Sequence, residues 1–248
     1  MRAITLLTDF GTADYFVGAM KGAILSINPQ AVMVDITHEI PAQDVAAGAF
    51  TLLAAFDTFP ERTVHIAVVD PGVGSERRPI VVAARNHLFV GPDNGIFTYI
   101  YERDSSFEAF HITDEKYFRQ PVSTTFHGRD IFAPVGAALS TGVDPASLGP
   151  RISNPIRLFK SVAPQIIHID RFGNLITNIT RDQFKEARRL LLNGTLISAQ
   201  RNFFGENRGE IDEPFLIWGS AGFLEIAVNG GSAAEFLDAK RGDQIRLI

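Results

Sequence analysis

The first 155 residues alternate between short apolar runs and longer amphipathic segments, and this alternation limits the folds that the chain can adopt. Segments 14–27 and 43–57 place apolar residues three and four positions apart, the spacing of one helix face. Near-continuous apolar strands separated by such helices predict a mainly parallel sheet with helices on both faces. The aliphatic runs with the length of buried strands are 3–8, 32–36, 64–69 and 79–83.

The pattern changes after about residue 155, where three prolines within a stretch of little periodicity indicate a linker. Beyond it, short strand-like runs separated by turn signals predict a small β-sandwich or barrel. The predicted strands are 165–170, 174–180, 190–198, 214–218, 222–228 and 244–248, with short helices near 181–188 and 232–238. The predicted organisation is an N-terminal α/β domain, a linker and a smaller, barrel-like β domain, at 1–155, 156–163 and 164–248.

Composition narrows the functional classes. The chain has no cysteine, which excludes disulfides, thiolate metal sites and a cysteine nucleophile. Its 23 Lys and Arg against 28 Asp and Glu do not favour binding to nucleic acid or to an anionic membrane. The N-terminus enters a strand pattern without the features of a secretory signal, and no apolar run approaches the roughly 18–20 residues that span a bilayer. We therefore expect a cytoplasmic protein.

Acidic residues lie at the ends of three of the predicted strands. Asp9 follows the first strand, Asp35 lies near the end of the second, and Asp70 follows the third. In open α/β sheets, ligands bind outside the carboxyl ends of the strands, so these carboxylates are candidates for one site. Asp before Gly or Pro also caps ordinary turns. Three such residues at one edge favour the functional interpretation.

Three further polar turns contain candidate residues, each with a plain structural alternative. Asn94 lies in a turn before a predicted helix at 96–103, where Asn is also a common N-cap. His127 precedes a predicted helix at 131–140 and is equally consistent with a hydrogen-bonding residue at the helix start. Asp170 opens a turn at the beginning of the second half that is also consistent with an ordinary hairpin.

The sequence gives little support for a metal or a nucleotide cofactor. The histidines lack the spacing typical of a zinc site. Gly72-Val73-Gly74 lacks the rest of a dinucleotide fingerprint, and neither a Walker motif nor a GxSxG nucleophile elbow occurs. The remaining five histidines are interpreted as structural or capping residues: His38, His65, His87, His111 and His168.

Six motifs follow one another along essentially the whole chain, and in this order they are highly specific. They are Thr8-Asp9-Phe10-Gly11-Thr12 with Asp14, Asp70-Pro71-Gly72-Val73-Gly74 with Arg77, Gly91-Pro92-Asp93-Asn94-Gly95, Phe126-His127-Gly128-Arg129-Asp130, Asp170 with Phe172-Gly173-Asn174, and Gly219-Ser220-Ala221-Gly222-Phe223-Leu224-Glu225-Ile226-Ala227. Together they resemble the S-adenosyl-L-methionine (SAM) hydroxide adenosyltransferase family, the SAM hydrolases related to fluorinase and chlorinase.

The resemblance implies an N-terminal α/β domain, a smaller C-terminal β domain and a homotrimer. It places the active sites between neighbouring subunits, with the N-terminal domain of one facing the C-terminal domain of another. The implied reaction is SAM plus water to adenosine plus L-methionine, without a metal or an organic cofactor. The implied partners are therefore SAM, adenosine, L-methionine and other copies of the chain, and neither nucleic acid nor a membrane.

The resemblance also implies roles for individual residues. Water or hydroxide is held by Asp70, Arg77 and His127. Attack at C5′ of the ribose expels neutral methionine from a sulfonium, so the protein must mainly supply and orient the nucleophile. Histidine has an ordinary pKa near 6.5, so its surroundings decide whether it donates as a cation or accepts as a base. The implied substrate-binding residues are Asp9 for the ribose diol and, for the methionine end, Asp14, Asp170 and Ser220. Asn174 is implied to hydrogen-bond adenine, and Phe172 or Phe204 to pack against adenine or ribose. Asn94 belongs to a family motif without a firm role.

Departures from the halogenating relatives favour hydrolysis. Those relatives carry Tyr at the position of Asp70, Ser at Gly128 and an insertion after Arg85. They also carry an Arg for the methionine carboxylate where this chain has Ala221, so another basic group or a backbone donor must serve. The alternatives are a chloride-dependent adenosyltransferase of the same family and a non-catalytic SAM- or adenosine-binding protein. A SAM-dependent methyltransferase fits poorly, because no Gly-rich motif follows the first strand.

Overall fold

The fold is described from a computed structural model that covers residues 2–159, 161–206 and 213–248. The chain divides into two compact units, Met1–Leu158 and Phe159–Ile248. Over the described ranges, no helix combines the length and the apolar character that crossing a membrane requires.

The first unit consists of helices and strands that follow closely the alternation in the sequence. Its strands are β1 Ile4–Thr8, β2 Met33–Thr37, β3 Val64–Val68, β4 Pro79–Ala84, β5 His87–Pro92, β6 Glu108–His111 and β7 Arg151–Ile152. Its α-helices are α1 Phe16–Ile27, α2 Val45–Phe56, α3 Thr98–Arg103 and α4 Ala133–Ser140. Three other helical segments are the 3-10 turns Glu115–Tyr117 and Pro145–Leu148 and the π-helix Gly128–Phe132.

The strands of the first unit form one sheet in the order β2-β1-β3-β5-β4-β6-β7. The pairs β1–β2, β1–β3 and β3–β5 are parallel, whereas β4–β5, β4–β6 and β6–β7 are antiparallel. The sheet is therefore mixed, and the prediction of a mainly parallel sheet holds for one half of it. The reason is a two-residue turn between β4 and β5 at Arg85 and Asn86, which have φ angles of 51° and 61°. Such a turn forces an antiparallel hairpin.

Helices lie on both faces of this sheet. Successive strand residues point to opposite faces, so Leu6 and Leu7 face different layers. Leu6 belongs to the core cluster that includes Ile24 of α1 and the buried residues of α4. On the other face α2 lies close to the sheet, where Gly48 approaches the side chain of Leu7. Phe56 at the end of the same helix packs edge-on against the ring of Phe89 on β5.

The chain beyond β7 remains bound to the first unit. The buried carboxylate of Asp93 pairs with Arg78 and accepts a hydrogen bond from the backbone of Ile156 at 2.8 Å. Thr98 Oγ1 accepts one from the backbone of Leu158, also at 2.8 Å. The first three residues of the segment predicted as a linker therefore belong structurally to the first unit.

The second unit is built from antiparallel strands, which confirms the prediction of a smaller β domain. Its elements are β8 Ile166–Ile169, β9 Leu175–Thr177, β10 Leu190–Leu192, β11 Thr195–Ile197, β12 Phe215–Trp218, β13 Leu224–Ala227, α5 Ala233–Phe236 and β14 Arg246–Leu247. Among its described residues, the strands form a sheet in the order β11-β10-β14 and another in the order β12-β13-β9-β8. Closure of these sheets into a barrel stays a prediction.

Two local predictions in the second unit are wrong. The single strand predicted at 190–198 is a hairpin, because Asn193 and Gly194 adopt φ angles of 48° and 82° and reverse the chain. The helix predicted at 181–188 is a series of turns and bends. Phe184 is the buried apolar residue of that segment, and one anchor is too little to sustain a helix.

Candidate active site

Two of the strand-end carboxylates meet at one edge of the mixed sheet. β1 and β3 are parallel neighbours, and Thr8 lies opposite Val68. Asp9 and Asp70 follow these two strands and line one cavity of about 390 Å³ within the first unit. The third acid, Asp35, is not part of this lining.

Arg77 joins Asp70 to His127. Its Nε donates to both carboxylate oxygens of Asp70, at 3.0 and 2.9 Å, and its Nη2 also contacts Asp70 Oδ2. The same Nη2 lies 2.7 Å from Nδ1 of His127. The side chains of Arg77 and Asp70 are only 9% and 5% exposed, so water screens this ion pair weakly. The structure thus brings together the three residues to which the family resemblance assigns the holding of water or hydroxide.

The contact with Arg77 decides the protonation of the histidine. A guanidinium can only donate hydrogen bonds, so Nδ1 of His127 must accept, and the proton of the neutral ring lies on Nε2. Burial and the charge of Arg77 lower the pKa of His127 below its ordinary value, against weaker opposing effects of Asp70 and Asp130. His127 is therefore neutral at pH 7, and its Nε2–H is the hydrogen-bond donor that does not face Arg77.

The loop that carries Asp70 and Arg77 depends on a glycine. Gly74 has a φ of 78°, and a Cβ at this position would collide with the backbone carbonyl of Thr124. Only glycine permits this close approach. The contact holds the loop against the backbone just before His127. Arg77 in addition stacks over the ring of Phe132, with 5.1 Å between Cζ and the ring centroid.

His127 immediately precedes a π-helix, Gly128–Phe132, that continues into α4. Such π segments occur frequently at functional sites. The fully buried carboxylate of Asp130 accepts hydrogen bonds from Arg129 Nε at 2.6 Å and from the backbone of Ser123 at 2.9 Å. These bonds fasten the preceding loop to the π-helix. The sequence predicts a helix from 131 to 140, and no signal in it reveals the π-helical start.

Asp9 is anchored by a residue that sequence reasoning missed. The backbone N–H of Gln43 donates to Asp9 Oδ2 at 2.7 Å. Gln43 also lines the cavity and adopts a left-handed φ of 65°, a conformation that is costly for a residue with a side chain. The helix α2 begins two residues later, with Asp44 as its N-cap. The N-terminal end of a helix favours negative charge, which suits the carboxylate.

Three predicted residues of the first unit lie outside the cavity lining. Arg77 is one of them, and it contacts the lining residues Asp70 and His127. Asp14 is exposed before α1. Asn94 uses both ends of its amide within the protein: Nδ2 donates to the carbonyl of Val69 at 2.8 Å, and Oδ1 accepts from the backbone of Ile96 at 3.2 Å. Asn94 thus fixes the chain immediately before Asp70. The structure supports a role in shaping the Asp70 loop more directly than a contact with substrate.

In the second unit, Asp170 organises the turn that ends at Asn174. Asp170 Oδ1 accepts from the backbone N–H groups of Phe172 and Asn174, each at 2.9 Å. Asp170 Oδ2 accepts from Nδ2 of Asn174 at 2.8 Å, so the orientation of this buried amide is fixed. The ring of Phe172 is 75% exposed.

The other predicted residues of the second unit lie on β12 or near it. Phe204 is 46% exposed, and its ring centroid lies 6.3 Å from that of Phe215. Ser220 is exposed in the turn between β12 and β13.

Glu225 on β13 is a further residue that sequence reasoning left without a role. It lies opposite Ile217 on β12 and Ile176 on β9. Burial and the nearby charge of Asp170 raise its pKa to about 7. Its carboxyl packs directly on Gly219, where any Cβ would collide with it. An acidic residue inside the apolar run 223–227 was the available signal.

The arrangement offers hydrogen-bonding and charged groups for an organic substrate. Over the described residues, no group of three or more His, Asp or Glu side chains is placed to hold a metal ion. The lining of the cavity combines the carboxylates of Asp9 and Asp70 with aromatic walls from Phe10, Phe16 and Phe126. Such a surface suits a partly apolar ligand with a hydroxyl-rich part.

Comparison with known proteins identifies the family. The family model described as the SAM hydroxide adenosyltransferase N-terminal domain matches residues 4–149, and its C-terminal counterpart matches residues 164–246. The chain belongs to the SAM hydroxide adenosyltransferase family. The resemblance noted from the sequence motifs is thereby confirmed.

Relatives within the family carry two kinds of name. A protein of Methanocaldococcus jannaschii named (R)-S-adenosyl-L-methionine hydrolase is 39% identical over 99% of this chain and 95% of its own length. One of the same name from Thermus thermophilus is 37% identical, with both chains covered completely. A fluorinase from Actinoplanes is 28% identical over 96% of this chain and 95% of its own.

Solved structures of similar proteins support the same fold. An uncharacterized conserved protein from Thermotoga maritima has a TM-score of 0.92 and 36% identity, covering 99% of this chain and 100% of that one. A conserved hypothetical protein from Thermus thermophilus has a TM-score of 0.82 and 36% identity, with both chains covered completely. This member of the family thus shares its fold with both.

Proposed function

We propose that the protein hydrolyses SAM to adenosine and L-methionine by attack of water or hydroxide at C5′ of the ribose. The observation that carries this proposal is the bridge from Asp70 through Arg77 to His127. It lies beside a cavity lined by Asp9, Asp70 and His127. The names of the hydrolase relatives agree with this reaction.

The chemistry requires a well-placed nucleophile and little else. A C–O bond forms at C5′ as the C5′–S bond breaks, and the electron pair of that bond neutralises the sulfonium to a thioether. Because the leaving group departs neutral, it needs no general acid and, on this proposal, no metal or organic cofactor. The one proton to be removed comes from the attacking water and passes by way of Asp70 to solvent.

The bridged residues suit this task. Asp70 can accept a hydrogen bond from the water, while the Nε2–H of His127 can donate to the same oxygen. Arg77 carries a permanent charge next to both groups, which favours hydroxide over water at this place. His127 acts here as a donor and not as the base, because its other ring nitrogen already accepts from Arg77.

Asp9 is proposed to bind the two ribose hydroxyls. An ionised carboxylate can accept from both hydroxyls of a diol, and the backbone of Gln43 holds it from the other side. Fixing the ribose in this way sets the direction of C5′ relative to the nucleophile. Such orientation is worth roughly 7–11 kcal/mol in favourable intramolecular systems.

The second unit is proposed to supply the adenine and methionine contacts, through Asn174 for adenine, Asp170 and Ser220 for the amino acid, and Phe172 or Phe204 for stacking. The exposed ring of Phe172 and the fixed amide of Asn174 support this assignment. Asp14 is proposed for the methionine end. We further propose a homotrimer whose sites join the first unit of one subunit to the second unit of its neighbour.

Co-expression tests the shared site. Asp70→Asn and Asn174→Ala variants should each have strongly reduced activity as pure trimers. Mixed trimers should recover part of the activity, because some sites then contain neither change. Light scattering of the purified wild type should give three times the mass of the 27.2 kDa chain. A monomeric mass, or no recovery in mixed assemblies, would contradict this arrangement.

The names of the hydrolase relatives begin with (R). A sulfonium sulfur with three different substituents and a lone pair is a stereocentre, and we take R as the configuration at this sulfur. We propose the same preference here. Separated R and S epimers of SAM should then differ in kcat/KM, with R the better substrate. Equal rates for both epimers would contradict the preference while leaving hydrolysis intact.

The deciding experiment uses labelled water. The purified protein is incubated with SAM in oxygen-18 water that contains chloride, and the products are identified by mass spectrometry. Adenosine with one oxygen-18 at the 5′ position, together with methionine, supports hydrolysis. Chlorinated adenosine would point to the halide-dependent alternative. Binding without turnover would point to a SAM- or adenosine-binding protein.

A further inference from the structure

His38 follows β2 and is buried at 4% exposure, outside the lining of the cavity. Its Nδ1 lies 2.9 Å from Thr8 Oγ1, and its Nε2 lies 3.2 Å from Asp35 Oδ1. Asp35 Oδ2 in turn accepts from Lys21 Nζ at 2.6 Å. A continuous series of polar contacts thus runs from the outer surface at Lys21 to the end of β1.

The donor and acceptor roles along this series can be assigned consistently. Burial raises the pKa of Asp35, but its hydrogen bond to Lys21 and its 3.2 Å contact with His38 outweigh that effect and hold the pKa below its ordinary value. Asp35 is therefore ionised and favours the proton of His38 on Nε2. Nδ1 of His38 then accepts from the hydroxyl of Thr8, whose oxygen accepts from the backbone N–H of Phe10 at 3.3 Å.

These contacts involve both chain neighbours of Asp9. Thr8 and Phe10, the residues on either side of it, are both tied to the imidazole of His38. The backbone N–H of Gly11 donates to the carbonyl of His38 at 2.7 Å. His38 therefore fixes three of the four residues 8–11 directly or through one hydroxyl. The backbone of Gln43 holds the carboxylate of Asp9 from the opposite side.

We propose that His38 is a positioning residue that fixes the ribose-binding carboxylate of Asp9 through Thr8 and the backbone of residues 10 and 11. This inference rests on the proposed function, in which Asp9 binds the ribose diol. His38 touches neither the substrate nor the reacting atoms, and its effect is specific to ligands that carry both ribose hydroxyls. A merely structural role would weaken the binding of every nucleoside alike.

The test measures nucleoside affinity by calorimetry, with adenosine and 2′-deoxyadenosine as the two probes. The wild type should prefer adenosine, because Asp9 binds both hydroxyls. His38→Asn and Thr8→Val should each lower adenosine affinity about tenfold and leave 2′-deoxyadenosine affinity within about twofold. In an Asp9→Asn background, His38→Asn should have little further effect, since residues that act as a unit are not additive.

His111→Asn provides the matched control, because His111 lies on β6 and outside the cavity lining. It should keep the adenosine preference of the wild type. Equal losses for both nucleosides in His38→Asn and Thr8→Val, or an unchanged preference in both, would overturn the inference alone. Failure of the wild type to bind adenosine would overturn the proposed function and the inference with it. Thr8→Val is nearly isosteric, so it keeps the test decisive if His38→Asn fails to fold.

Discussion

Nη2 of Arg77 lies 2.7 Å from Nδ1 of His127. A permanent cation therefore donates a hydrogen bond to the ring nitrogen that would have to take up a proton to form an imidazolium. The same guanidinium clamps Asp70. One side chain thereby binds a carboxylate and lowers the pKa of a histidine at the same place. This combination suits the holding of water or hydroxide and distinguishes the site from a general-base histidine paired with an acid.

The pH behaviour of His127 follows from this contact. Burial and the charge of Arg77 lower its pKa, so the imidazole should protonate only below 6.5, and kcat/KM should remain high as the pH falls through 6.5. Arg77→Gln removes a lowering influence and should raise the pKa. Asp130→Asn removes a raising influence and should lower it further.

Nuclear magnetic resonance of labelled histidine measures these shifts directly, with His127→Gln to assign the signal. It does not depend on activity, which Arg77→Gln is expected to abolish. Shifts of the same sign in Arg77→Gln and Asp130→Asn would contradict the electrostatic account.

Substitutions of Asp70 and Asp9 should affect turnover and substrate binding differently. Asp70→Asn keeps the size of the side chain but weakens its hold on water, so kcat should fall about 100-fold while adenosine affinity changes less than about threefold. Asp9→Asn should instead mainly lower adenosine affinity, with a smaller effect on kcat. Steady-state kinetics and calorimetry on the same preparations measure both quantities.

Asp114→Asn is the control for this pair, because Asp114 is an acid of the same unit that pairs with Lys116 away from the cavity. It should behave as the wild type. A large loss of adenosine affinity in Asp70→Asn with unchanged kcat would reverse the assigned roles.

The strand-end carboxylates could be predicted from the sequence, because Asp9 and Asp70 follow strong apolar runs and neighbouring parallel strands end at one edge. β5 was missed, since the hairpin at Arg85 and Asn86 contains no glycine to signal it. The contacts of Gln43 with Asp9 and of Asn94 with Val69 join positions 34 and 25 residues apart. Such contacts depend on tertiary structure, and no local pattern encodes them.

The histidine pair within the first unit predicts an acid-dependent loss of stability. His65 is fully buried, with Nδ1 2.8 Å from Thr5 Oγ1 and Nε2 3.3 Å from Nδ1 of His87. Burial, with a smaller effect of His87, lowers the pKa of His65 to about 3. Between pH 6.5 and 3 the unfolded chain therefore binds a proton that the folded chain does not. Stability should fall as the pH decreases in this window, by at most about 1.4 kcal/mol per pH unit for this group.

Urea unfolding followed by circular dichroism at pH 7 and pH 5 measures this slope. His65→Gln keeps a hydrogen-bonding side chain but cannot titrate, so its stability should depend less steeply on pH than that of the wild type. Identical slopes in the two proteins would exclude His65 as a source of the acid sensitivity.

The raised pKa of Glu225 predicts that the stability of the second unit falls as the pH increases. Burial and the charge of Asp170 raise the pKa of Glu225 to about 7, so the folded state retains a proton that the unfolded chain loses above about 4.5. This contribution to stability is complete below pH 4.5 and is lost as the pH rises through 7. Glu225→Gln should therefore be more stable than the wild type at pH 8, by about 1 kcal/mol because the partly exposed carboxyl is screened by solvent, and should gain nothing at pH 5.

Unfolding of the second unit can be followed specifically by tryptophan fluorescence, because the chain has one tryptophan, Trp218 on β12. Glu186→Gln, a change at an exposed acid of the same unit, controls for the loss of a negative charge. It should leave the difference between pH 5 and pH 8 as in the wild type. A Glu225→Gln protein that is destabilised equally at both pH values would show that the carboxyl supports the fold through packing on Gly219, and that its ionisation has no part in stability.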